Sequence, residues 1–340
     1  MVPGFRRPVS QNVVPKVGPQ ILKKKCPRRL KKAFQTCAQV LATWQWSNYL
    51  HDEIIKQHKT PLLINIDESP MPLVYGTSVG NLLRRRRHSH PIPEVRRFAT
   101  RQEQRMHFTY VAMICNIAWI QPLLPQILII PERILPLKEW RDITEDLPNN
   151  VYLIRQKSMW VTATLYATIL RLLRKCMKRY NIQSQHRIII LADSFGGHTT
   201  VRALKAVRDY GYYFLLLSAG LTWLIQPLDV YAFVRLKRFM RERFMRVVDD
   251  AGERLIFKTL KDLVSAIQVI FTNANWAHAF ESLGLCGNCL PTSKTILAEL
   301  EWRVFPPARR TRPTEEEICI STPRGRRLNR DGIFGTFPKP

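Results

Sequence analysis

Two apolar runs that each end in an aspartate constrain the fold of this chain most strongly. They cover residues 62–67 and 188–193 and end in Asp67 and Asp193. Continuous apolar runs of this length are typical of strands that are buried on both faces. The carboxyl ends of such strands are where an open α/β sheet places its ligand-binding groups. We therefore expect both aspartates to lie at one edge of a central sheet.

The order of the surrounding patterns predicts the fold class. The strand-like runs that precede the first long helix lie at 61–67, 107–115 and 126–130. The chain then alternates between helix-like and strand-like segments, at about 160–180, 187–193, 198–209 and 212–218. Three successive strands predict a β-meander, and the later alternation predicts parallel strands with helical crossovers. We predict an α/β fold with one mixed sheet.

Two longer apolar stretches, 108–131 and 210–228, approach the length of a transmembrane helix. Asn, Gln and Pro residues interrupt the first stretch, and Gly211, Gly220 and Pro227 interrupt the second. We interpret each stretch as two core strands joined by a turn. The sequence therefore predicts no association with a membrane.

The charge of the chain indicates a polyanionic partner. The 53 Lys and Arg residues outnumber 26 Asp and Glu residues, which gives a net charge of +27. Nucleic acid is the polyanion that fits best. The residues that we predict to contact it are Arg84, Arg85, Arg86 and Arg87 in a loop, and Arg235, Lys237, Arg238 and Arg241 on a helix. The Arg84–Arg87 run also has the composition of a nuclear import signal, which predicts a nuclear protein.

Seven cysteines at irregular spacing predict a reducing compartment. Cys286 and Cys289 have the spacing of half a zinc site. Because no second pair follows at the required distance, we favour two free cysteines over a metal site.

A third aspartate, Asp229, follows Pro227 and precedes the basic helix. Three carboxylates at one edge would repel each other and raise each other's pKa values unless a divalent cation neutralised them. Their oxygen atoms suit Mg²⁺ or Mn²⁺, and paired ions of this kind support phosphodiester chemistry. In a basic protein, this predicts a nuclease or strand-transfer enzyme that acts on DNA. Taken singly, each aspartate could instead cap a helix.

Three short blocks contain these aspartates. They read Asp67-Glu68-Ser69, Asp193-Ser194-Phe195-Gly196-Gly197-His198 and Gln226-Pro227-Leu228-Asp229-Val230, the last followed by Phe233 and Lys237. The blocks resemble the catalytic blocks of the DDE-superfamily endonucleases, the pogo/mariner-type transposases, over about residues 60–290. The resemblance implies an RNase H-like fold and a two-metal site of Mg²⁺ or Mn²⁺ on Asp67, Asp193 and Asp229. It also implies an accessory role for His198 and attack on DNA by water or a 3′-hydroxyl.

The chain departs from the family pattern at Ser194, where asparagine is usual, and at Tyr231, where glycine is common. We predict a basic N-terminal segment at 1–59, either a linker or a remnant of a DNA-binding region. A catalytic domain at 60–290 and a partly disordered extension at 291–340 follow it. Because family members carry helix-turn-helix domains before the catalytic core, a catalytically silent DNA-binding protein derived from a transposase is the alternative.

Three further expectations concern the substrate, the oligomeric state and Glu68. A nuclease of RNase H fold that acts on RNA–DNA hybrids stays open, because fold alone does not select the substrate. An enzyme that acts at transposon ends is expected to work as a homodimer on DNA. Glu68 is the weaker site candidate, because neighbouring residues of a strand point to opposite faces.

Overall fold

A six-stranded mixed sheet forms the centre of the computed structural model. The structure describes residues 28–72, 107–135, 140, 144, 147–194, 197–217, 220–246, 255–287, 290–300 and 311. Of residues 28–35, 244–246, 255 and 256 it describes only the backbone. The predicted Arg84–Arg87 cluster, Cys289 and most of the predicted extension at 291–340 lie outside the described residues.

The strand order is β4-β3-β2-β1-β5-β6. The strands are β1 (Thr60–Pro72), β2 (His107–Cys115), β3 (Gln126–Pro131), β4 (Val151–Gln156), β5 (His186–Asp193) and β6 (Tyr213–Leu217). Strands β1, β2 and β3 form an antiparallel meander, whereas β1, β5 and β6 are parallel. Helices connect β5 to β6 and precede β5. This topology confirms the predicted RNase H-like fold.

Strand β1 occupies the middle of the sheet and is buried on both faces. Leu62, Ile64 and Ile66 pack into the core on one face. Leu63 and Met71 pack into the core on the other face. Burial on both faces explains why the sequence of this strand is continuously apolar instead of alternating with polar residues.

Two amphipathic helices cover the face of Ile64: α2 (Ala163–Arg179) and α3 (Val201–Asp209). Each begins at a threonine whose hydroxyl accepts a hydrogen bond from the backbone of the first turn. The distances are 3.2 Å from Leu165 N to Thr162 Oγ1 and 3.3 Å from Ala203 N to Thr200 Oγ1. These caps satisfy N–H groups that have no partner within the helix.

The opposite face of the sheet is covered by the remaining helices. They are α1 (Arg28–Lys56), α4 (Thr222–Ile225), α5 (Phe233–Arg246), α6 (Leu255–Ala266), α7 (Ala277–Ser282) and α8 (Lys294–Glu299). Two π-helical segments, Leu228–Ala232 and Ile267–Thr272, adjoin α5 and α6. None of the helices in the described part of the chain has the length and apolar character that a membrane span requires.

Helix α1 packs into the same core as the sheet. Val40, Trp44, Leu50 and Ile54 are buried there, and the indole N–H of Trp44 donates to the carbonyl of Leu283 at 2.8 Å. Packing therefore continues across residues 59 and 60, where we predict a domain boundary. The boundary itself stays a prediction.

The two long apolar stretches differ in whether both of their halves form strands. The interpretation of 108–131 as two strands is confirmed by β2 and β3. The interpretation of 210–228 is wrong in its second half, because β6 is followed by helix α4 instead of a strand. The buried residues Leu221, Leu224, Ile225 and Leu228 recur at helical spacing. Strand β4, which pairs with β3 at the edge of the sheet, is an addition that we did not predict.

Candidate active site at the carboxyl edge of the sheet

Asp193 is the last residue of β5, as predicted, but Asp67 does not end its strand, because β1 continues to Pro72 and stays paired with β2. The two aspartates lie in adjacent parallel strands, just beyond the point where the pairing between β1 and β5 stops. The register pairs Asn65 of β1 with Leu191 of β5, two residues before each aspartate. Since residues two apart in a strand share a face, both carboxylates project from corresponding positions on the same side. The structure therefore places these two predicted site residues as neighbours.

Asp229 lies in the π-helical segment Leu228–Ala232, between α4 and α5. This wider turn is joined to the sheet by a hydrogen bond in which the N–H of Leu228 donates to Asn65 Oδ1 at 2.9 Å. Short π-helical segments within helices are frequent at functional sites. The contact brings the third aspartate to the edge that carries the other two.

The three aspartates act on one another electrostatically. Burial raises the pKa of Asp67 well above its ordinary value, and the charges of Glu68, Asp229 and Asp193 raise it further. Burial also raises the pKa of Asp229, with a further contribution from Asp193. A hydrogen bond with Thr222 and the charge of Lys237 act in the opposite direction on Asp229. The predicted residues thus form one cluster of interacting carboxylates.

The chemistry of this cluster fits a divalent cation, although its side chains form no closed ligand cage. Among the described residues, no three His, Cys, Asp or Glu side chains are close enough together to hold a metal ion. However, the charges that act most strongly on the buried Asp67 are all carboxylates. A divalent cation would offset their repulsion, and carboxylate oxygens are the ligands that Mg²⁺ and Mn²⁺ prefer.

His198 lies beside two carboxylates in the turn before α3. It is fully buried, and its Nδ1 lies 2.7 Å from Asp193 Oδ1 while its Nε2 lies 3.0 Å from Glu68 Oε1. Burial favours the neutral ring, but the hydrogen bonds to Asp193 and Glu68 prevail and raise the pKa of His198 to about 10. The protonated ring donates to both carboxylates and so joins the last residue of β5 to Glu68 within β1.

Glu68 therefore has more importance at this site than the sequence indicates. Strand alternation places it on the face of Ile64 and Ile66, away from Asp67, as predicted. His198 nevertheless connects it to Asp193, the last residue of β5, and the centre of the Tyr166 ring lies 4.4 Å from that of the imidazole. The one available signal was a glutamate directly after a buried apolar run, since buried carboxylates usually have a partner.

Two polar side chains in these blocks are buried without a hydrogen-bond partner among the described residues. They are the amide of Gln226, three residues before Asp229, and the hydroxyl of Ser69, two residues after Asp67. Both residues are almost completely shielded from solvent. Unsatisfied buried groups are costly and tend to persist where function requires them.

The basic helix presents its charges outward, next to the carboxylate cluster. Arg235, Arg238 and Arg241 are exposed on α5, whereas Lys237 is partly buried. The guanidinium of Arg235 lies 5.1 Å from the centre of the Trp276 ring. The exposed arginines thus lie on the helix that begins directly after the Asp229 turn, and their predicted contact with DNA stays a prediction.

The family of the chain follows from its sequence. Residues 108–281, slightly more than half of the chain, match the family described as DDE superfamily endonuclease. The chain belongs to this family. The matched segment of this DDE endonuclease contains Asp193, His198 and Asp229, and Asp67 precedes it.

The DDE-family chain is also similar to solved structures of the Mos1 transposase. One is the crystal structure of the Mos1 mariner paired end complex with Mn, at 15% identity and a TM-score of 0.36. The match covers 72% of this chain and 62% of the Mos1 chain, so it spans less than two thirds of that protein. Another is the Mos1 transposase catalytic domain with Raltegravir and Mg, at 13% identity and a TM-score of 0.35, covering 72% and 95% of the two chains. No curated protein matches this chain.

Proposed function

We propose that this DDE endonuclease is a transposase-like enzyme that hydrolyses or transfers DNA phosphodiesters with Mg²⁺ or Mn²⁺. The observation that carries the proposal is the buried Asp67, which interacts with Asp193 and Asp229 at the edge of the sheet. Three carboxylates held together at this position destabilise the fold unless a cation joins them. Membership in the endonuclease family supports the same class of reaction.

We assign the metal ligands to Asp67, Asp193 and Asp229. When bound, the ions would activate a water or 3′-hydroxyl and stabilise the leaving oxygen. His198 holds the Asp193 carboxylate through a 2.7 Å hydrogen bond. The charge of Lys237 acts on Asp229, and we assign Lys237 to the binding of a DNA phosphate. The exposed arginines of α5 would bind the DNA backbone. A homodimer on DNA and a nuclear location are part of this proposal.

Cleavage of DNA by the purified chain tests the proposal. We expect nicking or joining of a DNA substrate with Mg²⁺ or Mn²⁺ and none with EDTA. Asp193→Ala should reduce the rate by at least about 10³-fold, because the removed ligand acts in the transition state, while DNA affinity changes little. The matched control is Asp209→Ala, which removes an exposed aspartate at the end of α3. It should cleave like the parent.

The outcomes separate the two candidate functions. Binding of DNA without metal-dependent cleavage by the parent would support the catalytically silent DNA-binding protein instead. Equal cleavage by Asp193→Ala and the parent would remove Asp193 from the site. Preferential cleavage of an RNA–DNA hybrid would assign the same site to a different substrate.

A further inference from the structure

One buried amide, Asn65, contacts the segments that carry Asp193 and Asp229. Its Nδ2 donates to the carbonyl of Leu191 at 3.1 Å, and its Oδ1 accepts from the N–H of Leu228 at 2.9 Å. The side chain is completely buried. Its acceptor and one of its donors are therefore used in bonds to the backbone of two different elements.

The contacts of Asn65 lie close to all three aspartates in sequence. Asn65 lies two residues before Asp67, Leu191 lies two residues before Asp193, and Leu228 directly precedes Asp229. A single side chain thus joins the three segments within two residues of each carboxylate. Asn65 therefore adds side-chain contacts close to all three carboxylates, besides the pairing of β1 with β5.

The hydrogen bond to Leu228 is the less replaceable of the two. The N–H of Leu228 belongs to the first turn of a helical segment, and such groups have no partner further back in the helix. Here the acceptor comes from β1 instead of from the preceding residue. Without it, the buried N–H would be unsatisfied, and the Asp229 turn would lose this polar link to the strand of Asp67.

We infer that Asn65 is a positioning residue that fixes the Asp229 turn against the strands of Asp67 and Asp193. The inference rests on the proposed function for its catalytic consequence. The mechanical part, which is the attachment of the turn to β1, is independent of catalysis and is measurable without metal.

The experiment compares Asn65→Ala with Gln121→Ala. Gln121 is a matched control because it is also fully buried, accepts from the N–H of Cys115 at 2.8 Å and donates to the carbonyl of Met113 at 3.1 Å. It joins the turn after β2 to that strand. Both variants lose two hydrogen bonds between a side chain and the backbone, so both should lose stability to a similar extent.

We expect only Asn65→Ala to change the site. Hydrogen–deuterium exchange of peptides within 222–232, measured without metal, should become about tenfold faster, in line with the loss of one net hydrogen bond. In the full chain, Mn²⁺ affinity, measured by electron paramagnetic resonance of free Mn²⁺, should fall about tenfold. The kcat for DNA cleavage should fall by a similar factor while KM for DNA stays unchanged.

The outcomes distinguish the inference from the proposed function. If Asn65→Ala exchanges in 222–232 like the parent, the positioning role is wrong. If exchange accelerates but Mn²⁺ affinity and kcat match those of Gln121→Ala, the contact has no catalytic consequence and the inference also fails. If the parent neither binds Mn²⁺ nor cleaves DNA, the proposed function fails and exchange still decides on the attachment. Should Asn65→Ala not fold, Asn65→Ser is measured against the same criteria.

Discussion

Asp67 is a carboxylate in a position that costs free energy. It is only 9% exposed, and the charges that act most strongly on it are those of Glu68, Asp229 and Asp193. Burial of a charge without an opposite charge is unfavourable, and the neutral form of the group is preferred. At neutral pH, the charge on Asp67 should therefore lower the free energy of unfolding of the metal-free protein.

Asp67→Asn should stabilise the metal-free protein. The substitution keeps the size of the side chain and removes the buried charge, so the free energy of unfolding at pH 7.5 should rise by about 1–3 kcal/mol. Because the pKa of Asp67 is raised in the folded state, the parent should gain stability as the pH falls from neutral toward about 4, and the variant should lack that gain. Urea unfolding in EDTA measures both effects.

The control for Asp67→Asn is Asp209→Asn, which alters an exposed aspartate and should change stability little. In the same assay, Mn²⁺ should stabilise the parent but not Asp67→Asn, since binding to the folded state alone shifts unfolding. A variant that is less stable than the parent in EDTA would contradict the assignment of Asp67 to a strained carboxylate cluster.

His51 should make the protein sensitive to mild acid. It is buried in α1, its Nδ1 lies 2.7 Å from the carbonyl of Ser47, and burial lowers the pKa of His51 below 6.5 while Ser47 and Asp52 partly offset this. Because the pKa of His51 is lowered in the folded state, the free energy of unfolding is highest above pH 6.5. It decreases as the pH falls below that value, by up to about 1.4 kcal/mol per pH unit. Unfolding between pH 7.5 and 5.5 measures the slope.

His51→Gln should reduce that slope, whereas His58→Asn, which changes an exposed histidine, should leave it unchanged. Asparagine suits the control because the backbone φ of His58 is 55°, a conformation that asparagine tolerates. Equal slopes in the parent and His51→Gln would show that another group causes the acid sensitivity.

At the scale of elements, the local hydrophobic pattern predicted those helices and strands whose conformation depends on their own sequence. The strands that contain Asp67 and Asp193 and the helix at about 160–180 were recognisable because each has one consistent pattern, but β1 continues five residues past Asp67. Helix α4 was missed because its four residues, Thr222–Ile225, lie inside a longer apolar stretch with glycine and proline at its ends. Strand β4 has only six residues and is partly exposed, so its pairing with β3 decides its conformation more than its sequence does.

The local sequence pattern also identifies only part of the candidate site. The three aspartates were recognisable from the ends of two apolar runs and from the third block, but the roles of Asn65 and Glu68 were not. Their partners, Leu228 and His198, are more than 100 residues away in sequence. A hydrogen bond between residues so far apart in sequence produces no periodic pattern in the sequence. Only the folded structure therefore identifies these residues.

Gly284→Ala should detach part of the packing between α1 and the end of α7. The φ of Gly284 is +72°, and an added Cβ would lie 2.9 Å from Nε1 of Trp44, whose indole N–H donates to the carbonyl of Leu283. We expect a loss of about 2–4 kcal/mol from backbone strain and steric overlap together. Thermal or urea unfolding gives the value.

Gly211→Ala is the matched control for that change. Its φ is +70°, yet a Cβ there would meet nothing within 4 Å. It should therefore cost only the backbone strain, about 1–2 kcal/mol. If the two glycine variants are equally destabilised, the contact between Trp44 and the Gly284 turn contributes little to the attachment of α1.

For the molecule as a whole, the net charge bears on the proposed binding of DNA. With a net charge of +27, the chain should bind DNA through many phosphate contacts, and each contact releases counterions. Helix α5 contributes exposed arginines beside the carboxylate cluster. The proposed function thus combines a largely sequence-independent attraction to DNA with an acidic site that would bind cations.

The double variant Arg238→Ala and Arg241→Ala should weaken DNA binding and reduce its dependence on salt. If each arginine contacts one phosphate, the slope of log K against log salt should decrease in magnitude by about 2. The control removes two exposed charges of α3, Lys205 and Arg208, and should leave the slope unchanged. Fluorescence anisotropy at several salt concentrations measures it, and equal slopes for both double variants would contradict a specific role for α5.

The π-helical segment Leu228–Ala232 also fixes the rotation of helix α5 about its own axis relative to Asp229. One of its ends is fastened to β1 through Asn65, and the other continues directly into α5 with its outward arginines. Each residue of a helix turns the chain by about 100°. Deletion of Val230 alone would leave Asp229 attached to the sheet but would rotate the arginine face by that angle. A one-residue change in length could thus uncouple DNA binding from catalysis without altering any charged residue.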